Sequence, residues 1–296
     1  MNKIKKNLLE DDYIFEWLLG KGSFGEVWQV IDKKTKRKMA FKIETKKDSN
    51  KAMLRDEYKI YLNLINGGVK EGIPKIYEFL QTPMYNILVM ELLDKSVEKI
   101  FTEYDNKFTL STVLLLGINM IKLLENVHNA GYIHRDIKPN NFMVSAENNK
   151  LYIMDFGLSK KYRLQDNKHI SLKTGKSITG TPRYVSANVH MGLEPSRRDD
   201  LISVGYMLIY FIKGKLPWQG KGKKNKNSGE DVVGNIKLCI KTHELCKGID
   251  TCFQEYLTYC MNLKFDTEPD YNYLQSIFEK TAKDKEIKLE YEWIKK

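Results

Sequence analysis

The apolar pattern of this chain changes character once, near Asp94, and that change limits the folds open to it. Upstream, residues 13–19, 27–31, 39–43, 76–80 and 87–92 are short apolar or alternating runs separated by Gly- and Lys-rich turns, which predicts strands. A helix is expected among them at 52–65, stopped by Gly67-Gly68. Downstream, residues 110–127 are apolar on nearly every side and predict a largely buried helix. Further helices are expected at 201–212, 232–240, 252–261 and 271–278. Short strands are expected at 142–144 and 151–154, inside a loop-rich stretch at 132–185. The chain should therefore be α+β, with a strand-rich lobe at 1–93, a helical lobe at 94–296 and a cleft between them.

Composition narrows the classes. Over 296 residues, 42% hydrophobic and 29% charged is the balance of a soluble globular protein. The longest apolar stretch, 201–212, is interrupted by Ser203 and Gly205 and is too short to span a bilayer. Residues 1–10 carry lysines but lack the apolar core of a secretory signal, so the expected location is cytoplasmic, nuclear or both. A net charge of +11 favours polyanionic or acidic partners, unless the charge is spread over solvated faces. The four cysteines, Cys239, Cys246, Cys252 and Cys260, form no C-x-x-C pair, and Cys239-x3-His243-x2-Cys246 is not a zinc spacing. They are expected to be reduced thiols, with Cys260 on a buried helix face beside Phe253, Tyr256 and Leu257.

Four motifs carry chemistry. Gly20-Lys21-Gly22-Ser23-Phe24-Gly25-Glu26-Val27 reads G-x-G-x-x-G-x-V, where missing side chains let a backbone approach phosphates. A strand follows it, so it is not the dinucleotide fingerprint; alone it could equally be a hairpin turn. Lys42 lies in the apolar strand Met39-Ala40-Phe41-Lys42-Ile43 and needs a partner, for which Glu57 on the following helix is a candidate. On its own it could also be a solvent-facing lysine. His134-Arg135-Asp136-Ile137-Lys138-Pro139-Asn140-Asn141 supplies a carboxylate to take a hydroxyl proton (Asp136) and a cation to offset phosphoryl charge (Lys138). It also supplies an oxygen ligand for magnesium at Asn141. Asp155-Phe156-Gly157 then offers a second metal-holding side chain, Asp155. In this order and spacing the four sets resemble the signature of the protein kinases.

The resemblance is closest to the casein kinase 1 family and runs from about Tyr13 to Phe278. It is carried by the glycine loop, Gly72-Ile73-Pro74, Val89-Met90-Glu91-Leu92-Leu93, His134 to Phe142, and Asp155-Phe156-Gly157-Leu158-Ser159-Lys160-Lys161-Tyr162-Arg163. Thr179-Gly180-Thr181-Pro182-Arg183-Tyr184, Ser196-Arg197-Arg198-Asp199-Asp200-Leu201, Leu216-Pro217-Trp218-Gln219-Gly220 and Pro269-Asp270-Tyr271 complete it. Ser186-Ala187-Asn188 stands where most kinases have A-P-E, as in that family.

The likeness implies a bilobal protein-kinase fold, with a small antiparallel sheet and one main helix in the N-lobe and a larger, mostly helical C-lobe. It also implies a protein serine/threonine kinase using ATP and Mg2+. Gly20, Lys21, Gly22, Ser23, Phe24, Gly25, Val27, Ala40 and Lys42 would then meet the nucleotide, with Met90 as gatekeeper and Glu91, Leu92 and Leu93 as hinge. Asp200 would brace the catalytic loop. Substrates would be acidic or already phosphorylated proteins, with Arg183 binding the anion. Residues 155–185 hold seven Lys/Arg and residues 213–226 six lysines, both beside the expected substrate face.

Departures from the family touch two places. The family's basic cluster after Leu-Pro-Trp-Gln-Gly is shifted here, which leaves Lys224 and Lys226 as candidate assistants to Arg183. Asp94-Lys95-Ser96 replaces Gly-Pro-Ser at the hinge exit. The chain is expected to be monomeric, without a regulatory tail, a membrane span or nucleic acid as partner. An inactive scaffold would show a degraded motif, and none is degraded. A nucleic-acid module would interleave aromatics with its charge, and residues 221–226 contain none.

Overall fold

The computed structural model describes residues 11–22, 25–46, 53–145, 147–164, 166–221 and 231–295. Five strands form one antiparallel sheet: β1 (Tyr13–Gly22), β2 (Gly25–Asp32), β3 (Lys38–Thr45), β4 (Ile76–Gln81) and β5 (Tyr85–Glu91), in the order β1-β2-β3-β5-β4. The two-residue period of β3 sorts its side chains. Met39, Phe41 and Ile43 join Trp28, Val30 and Val89 in a cluster on one face, while Ala40 faces the main core with Leu88 and Met90. Lys42 shares the Ala40 face, and α1 (Met53–Asn66) covers that face through Leu54, Tyr61 and Leu64.

The second lobe begins with α2 (Val97–Glu103), a helix the sequence pattern did not predict. Its seven residues are too few to display a 3.6 period, yet Ser96 caps it by accepting from Lys99 N–H at 3.2 Å, and Val97, Ile100 and Phe101 are buried. The hinge exit keeps its backbone pairing with Asp94 and Lys95 in place, since Asp94 N–H donates to Val144 O at 3.0 Å and Val144 N–H to Lys95 O at 2.9 Å.

The expected helices are present as α3 (Leu110–Asn129), α5 (Arg197–Lys213), α6 (Val232–Cys239), α8 (Thr251–Asn262) and α9 (Tyr271–Asp284). Two single-turn helices unforeseen in the sequence, α4 (Ala187–His190) and α7 (Thr242–Leu245), lie among them. Short strands β6 (Tyr132–Ile133) and β9 (Lys160–Lys161) pair with each other, as do β7 (Phe142–Val144) and β8 (Leu151–Ile153).

By length and composition α3, unlike 201–212, is long and apolar enough to cross a membrane. Its side chains are instead the core of this lobe, packed against α5 and α9. Gly117 lets α9 approach, because a Cβ there would lie 2.8 Å from the Phe278 ring. The last described residues return to the start of α3: Ser111 Oγ donates to Lys288 O at 2.7 Å, Glu292 accepts from Thr109 N–H at 3.3 Å, and buried Tyr291 accepts from Asn119 Nδ2 at 2.7 Å. All four cysteines are free thiols; Cys246, Cys252 and Cys260 are buried and Cys239 is exposed. Burial pushes Cys246 up to about 11 and Cys252 up to about 12, which keeps both as thiols.

Candidate active site

A cavity of about 700 Å³ opens between the sheet and the helical lobe. It is lined by Gly20, Lys21, Gly22, Gly25, Val27, Ala40, Lys42, Met90, Glu91, Leu92, Leu93, Asn141 and Asp155, all anticipated from the sequence, and by Lys138. Ser23 and Phe24 lie outside the described residues. The three glycines of the loop have different reasons to be glycine. At Gly25, with φ +127°, a Cβ would overlap the Ile43 carbonyl, so close strand packing demands it. At Gly20 and Gly22 nothing lies within 4 Å of a would-be Cβ, and both face the cavity. The space their missing side chains leave belongs to the cavity.

At the back of the cavity, Glu91 N–H is occupied by Lys75 O at 2.8 Å. The backbone N–H and C=O of Leu93 make no hydrogen bond among the described residues. Met90 is buried at the end of β5, and Met143 and Met154 add apolar surface from the other lobe.

Lys42 joins two elements. Its Nζ lies 2.6 Å from Glu57 Oε2 on α1 and 2.9 Å from Asp155 Oδ1. Burial alone would lower the lysine's pKa, but the two carboxylates reverse that and hold it above its usual value. Asp155 titrates below the usual carboxylate range: burial opposes this and Lys42 outweighs it. Asp155 adopts left-handed backbone, φ 67° and ψ 71°, and its N–H donates to Tyr61 Oη at 3.3 Å. Next to it, Phe156 is fully buried and meets the rings of Tyr61 and His134 edge-on at 5.0 and 5.1 Å.

The loop that carries Asp136 is braced from α5. Asp200, in the first turn of that helix, accepts from His134 N–H at 2.7 Å and Arg135 N–H at 2.9 Å, and its Oδ2 is 3.0 Å from His128 Nε2. These bonds hold Arg135 at φ 68°, a backbone region costly for a side-chain-bearing residue. Arg135 Nε in turn donates to Leu158 O at 2.6 Å.

That turn presents Asp136, 4% exposed, with both carboxylate oxygens engaged. Lys138 Nζ donates to Oδ2 at 2.6 Å and Thr181 Oγ1 to Oδ1 at 2.8 Å. Asn141 Nδ2 donates to Asp136 O at 2.8 Å, which leaves the Asn141 carbonyl oxygen as its available ligand atom. Among the described residues no group of three or more His, Cys, Asp or Glu is placed to hold a metal by itself. Asn141 and Asp155 are two hard oxygen donors on one cavity, which suits a magnesium ion that completes its shell with phosphate and water.

Thr181 is the contact that sequence reasoning missed. It lies 45 residues from Asp136, and only its place in Thr-Gly-Thr-Pro-Arg-Tyr hinted at a special position. The preceding Gly180, φ +98°, brings the segment close, since a Cβ there would overlap the Arg135 carbonyl.

Arg183 lies with its guanidinium carbon 5.7 Å from the ring centroids of both Tyr184 and Tyr210, and it is partly exposed. Lys224 and Lys226 lie outside the described residues. The basic stretch before Arg183 is less open than its sequence suggests. Buried Glu194 takes Lys160 at 2.7 Å and Lys176 at 3.6 Å, and Asp166 takes Lys168 at 3.0 Å. A family model described as "Protein kinase domain" matches residues 13–267.

Proposed function

We propose that this chain, which belongs to the protein kinase family, is a serine/threonine kinase of casein kinase 1 type that phosphorylates acidic or already phosphorylated proteins with Mg-ATP. The observation that carries this reading is the convergence of Lys42, Asp136, Lys138, Asn141 and Asp155 at the inner end of one cleft whose roof has glycines at 20 and 22. Bound Mg-ATP supplies the phosphoryl group and the cation that offsets its charge.

The protein's own part is positioning and electrostatics. Lys42, steadied by Glu57, reaches the α- and β-phosphates. Asp155 and the Asn141 carbonyl oxygen hold the metal. Asp136 orients the acceptor hydroxyl and takes its proton at a carboxylate oxygen, and Lys138 offsets charge on the transferring group. The backbone N–H and C=O of Leu93, without hydrogen bonds among the described residues, suit the edge of adenine. By the resemblance to the casein kinase 1 family, Lys138, two residues beyond Asp136, fits a Ser/Thr acceptor. Arg183, partly exposed beside two tyrosine rings, suits a substrate phosphate through charge-assisted bonds of about 1.5–3 kcal/mol each.

The test is phosphate transfer from radiolabelled ATP to casein and to acidic peptides with and without a phosphoserine three positions upstream. Asp136→Asn should abolish transfer while calorimetry still shows nucleotide uptake. Arg183→Ala should lose more activity on the primed peptide than on the unprimed one. An active Asp136→Asn protein overturns the assignment of the base, and equal losses on both peptides overturn the anion site.

A further inference from the structure

The backbone from Thr181 to Val185 starts at the catalytic carboxylate and carries Arg183, so its orientation decides how a peptide meets the site. Thr181 ties its start to Asp136. The carbonyls of Pro182, Arg183 and Val185 are taken by donors from outside the segment. Lys237 Nζ, from α6, donates to Pro182 O at 2.7 Å and Val185 O at 2.6 Å, and Trp218 Nε1 donates to Arg183 O at 2.7 Å.

Lys237 is only 3% exposed. An ammonium in such a place costs several kcal/mol unless its surroundings replace water. Here the two carbonyls do so, with the faces of Tyr206 and Trp218 at 5.2 and 5.0 Å and His190 Nε2 at 3.3 Å. His190 Nδ1 is 2.6 Å from Asp231 Oδ2, and Asp231 Oδ1 caps α6 by accepting from Gly234 N–H at 2.9 Å. An apolar side chain of the same length would avoid burying a charge but would leave both carbonyls without this donor. Only a group with two or more donors can hold both carbonyls at once.

We propose that Lys237 is a positioning residue for the protein substrate: by gripping the carbonyls of Pro182 and Val185 it fixes the segment that presents Arg183, and so sets peptide affinity without touching nucleotide affinity. Burial pushes Lys237 down to about 7, but the neutral amine still has two N–H groups for the two carbonyls, so the grip survives loss of the proton. The inference rests on the reading that peptides bind over Arg183.

The experiment compares the full chain with its Lys237→Met and Lys237→Arg variants on a primed acidic peptide. Lys237→Met, which fills the space without donors, should raise peptide KM about tenfold or more while ATP KM stays within about twofold. Lys237→Arg, which restores donors, should recover most of the loss. A folded Lys237→Met protein with unchanged peptide KM overturns the proposal, and so does an equal rise in ATP KM. If Lys237→Met does not fold, Lys237→Gln decides: its polar side chain suits the buried site but is one bond shorter, so it cannot hold both carbonyls as Lys237 does. The same split between peptide and ATP KM then supports the proposal, and an unchanged peptide KM overturns it. A wild-type protein that binds ATP yet phosphorylates no peptide would overturn the functional reading and this inference with it, whereas failure of the inference alone leaves the wild type active.

Discussion

Replacing Asp200 by Asn tests how far the catalytic loop depends on one carboxylate. The substitution keeps size and shape but turns one oxygen into a donor. Three donors converge on the native group: His134 N–H and His128 Nε2 on Oδ2, and Arg135 N–H on Oδ1. The less damaging amide orientation keeps the oxygen toward His134 and His128, and then the amide NH2 confronts Arg135 N–H. One charge-assisted bond is lost, worth about 1.5–3 kcal/mol, and the stranded buried N–H adds about 1–3 kcal/mol. The two surviving bonds also drop from charged to neutral acceptors. A total of about 3–5 kcal/mol is a large part of the roughly 5–15 kcal/mol that holds a typical protein folded.

The damage falls at Arg135, whose left-handed backbone loses its tether, and Asp136 is the next residue. Denaturant titration should show that destabilisation. At a temperature where the variant is folded, turnover should fall by about 10²-fold or more, from misplacement of the base. Nucleotide affinity should change little, because Asp200 does not line the cavity. A variant within about 0.5 kcal/mol of wild type, with unchanged turnover, would refute the argument that this carboxylate sets the loop.

Thr181→Ala removes one oxygen-to-oxygen contact on Asp136 and should lower kcat by about ten- to a hundredfold; a normal kcat would show the contact to be idle. Gly25→Ala should destabilise the sheet by about 2 kcal/mol or more through the clash with Ile43. Gly22→Ala should leave stability within about 0.5 kcal/mol and weaken nucleotide binding, and the reverse ranking in melting and calorimetry would contradict the roles given to the two glycines. Burial holds His128 below the ordinary histidine value although Asp200 pulls the other way. The unfolded chain binds that proton below about pH 6.5 while the folded chain resists it. This contribution to stability is therefore complete above about pH 6.5 and is lost as pH falls toward the lower folded value. His128→Gln should flatten the dependence of stability on pH between about 7 and 5.5, and an unaltered slope would count against it.

The groups at the inner end of the cleft were readable from sequence because each motif is local. Asp136, Lys138 and Asn141 lie within six residues, and one turn of backbone brings them together. Lys42 was readable only in their company: alone, a lysine in an apolar strand could as well have faced solvent, and the motifs that follow turned Glu57, on the one nearby helix, into its partner. Thr181 and Lys237 gave no such signal. Their partners lie 45 and 52–55 residues away, and α6 showed only a short helix bearing an ordinary lysine. Ordinary, too, was the look of residues 160–176, where Glu194, outside the stretch, takes up two of the lysines. The fold followed the same rule: long periodic elements such as α3 and α9 were legible, and α2, α4 and α7 were too short to show a period.

The match to the kinase family stops at residue 267, but cohesion does not. Tyr271, Leu274, Ile277, Phe278 and Tyr291 are buried beyond that point, in the same core as α3, the one described helix long and apolar enough to cross a membrane. A protein shortened to the recognised domain would keep every group of the cleft and still uncover the side of Leu110–Asn129 that faces Tyr271–Asp284, leaving a greasy stripe free to stick to its own kind. The practical edge of this enzyme therefore lies past Tyr291, and a fragment ending at 267 is expected to precipitate without saying anything about catalysis.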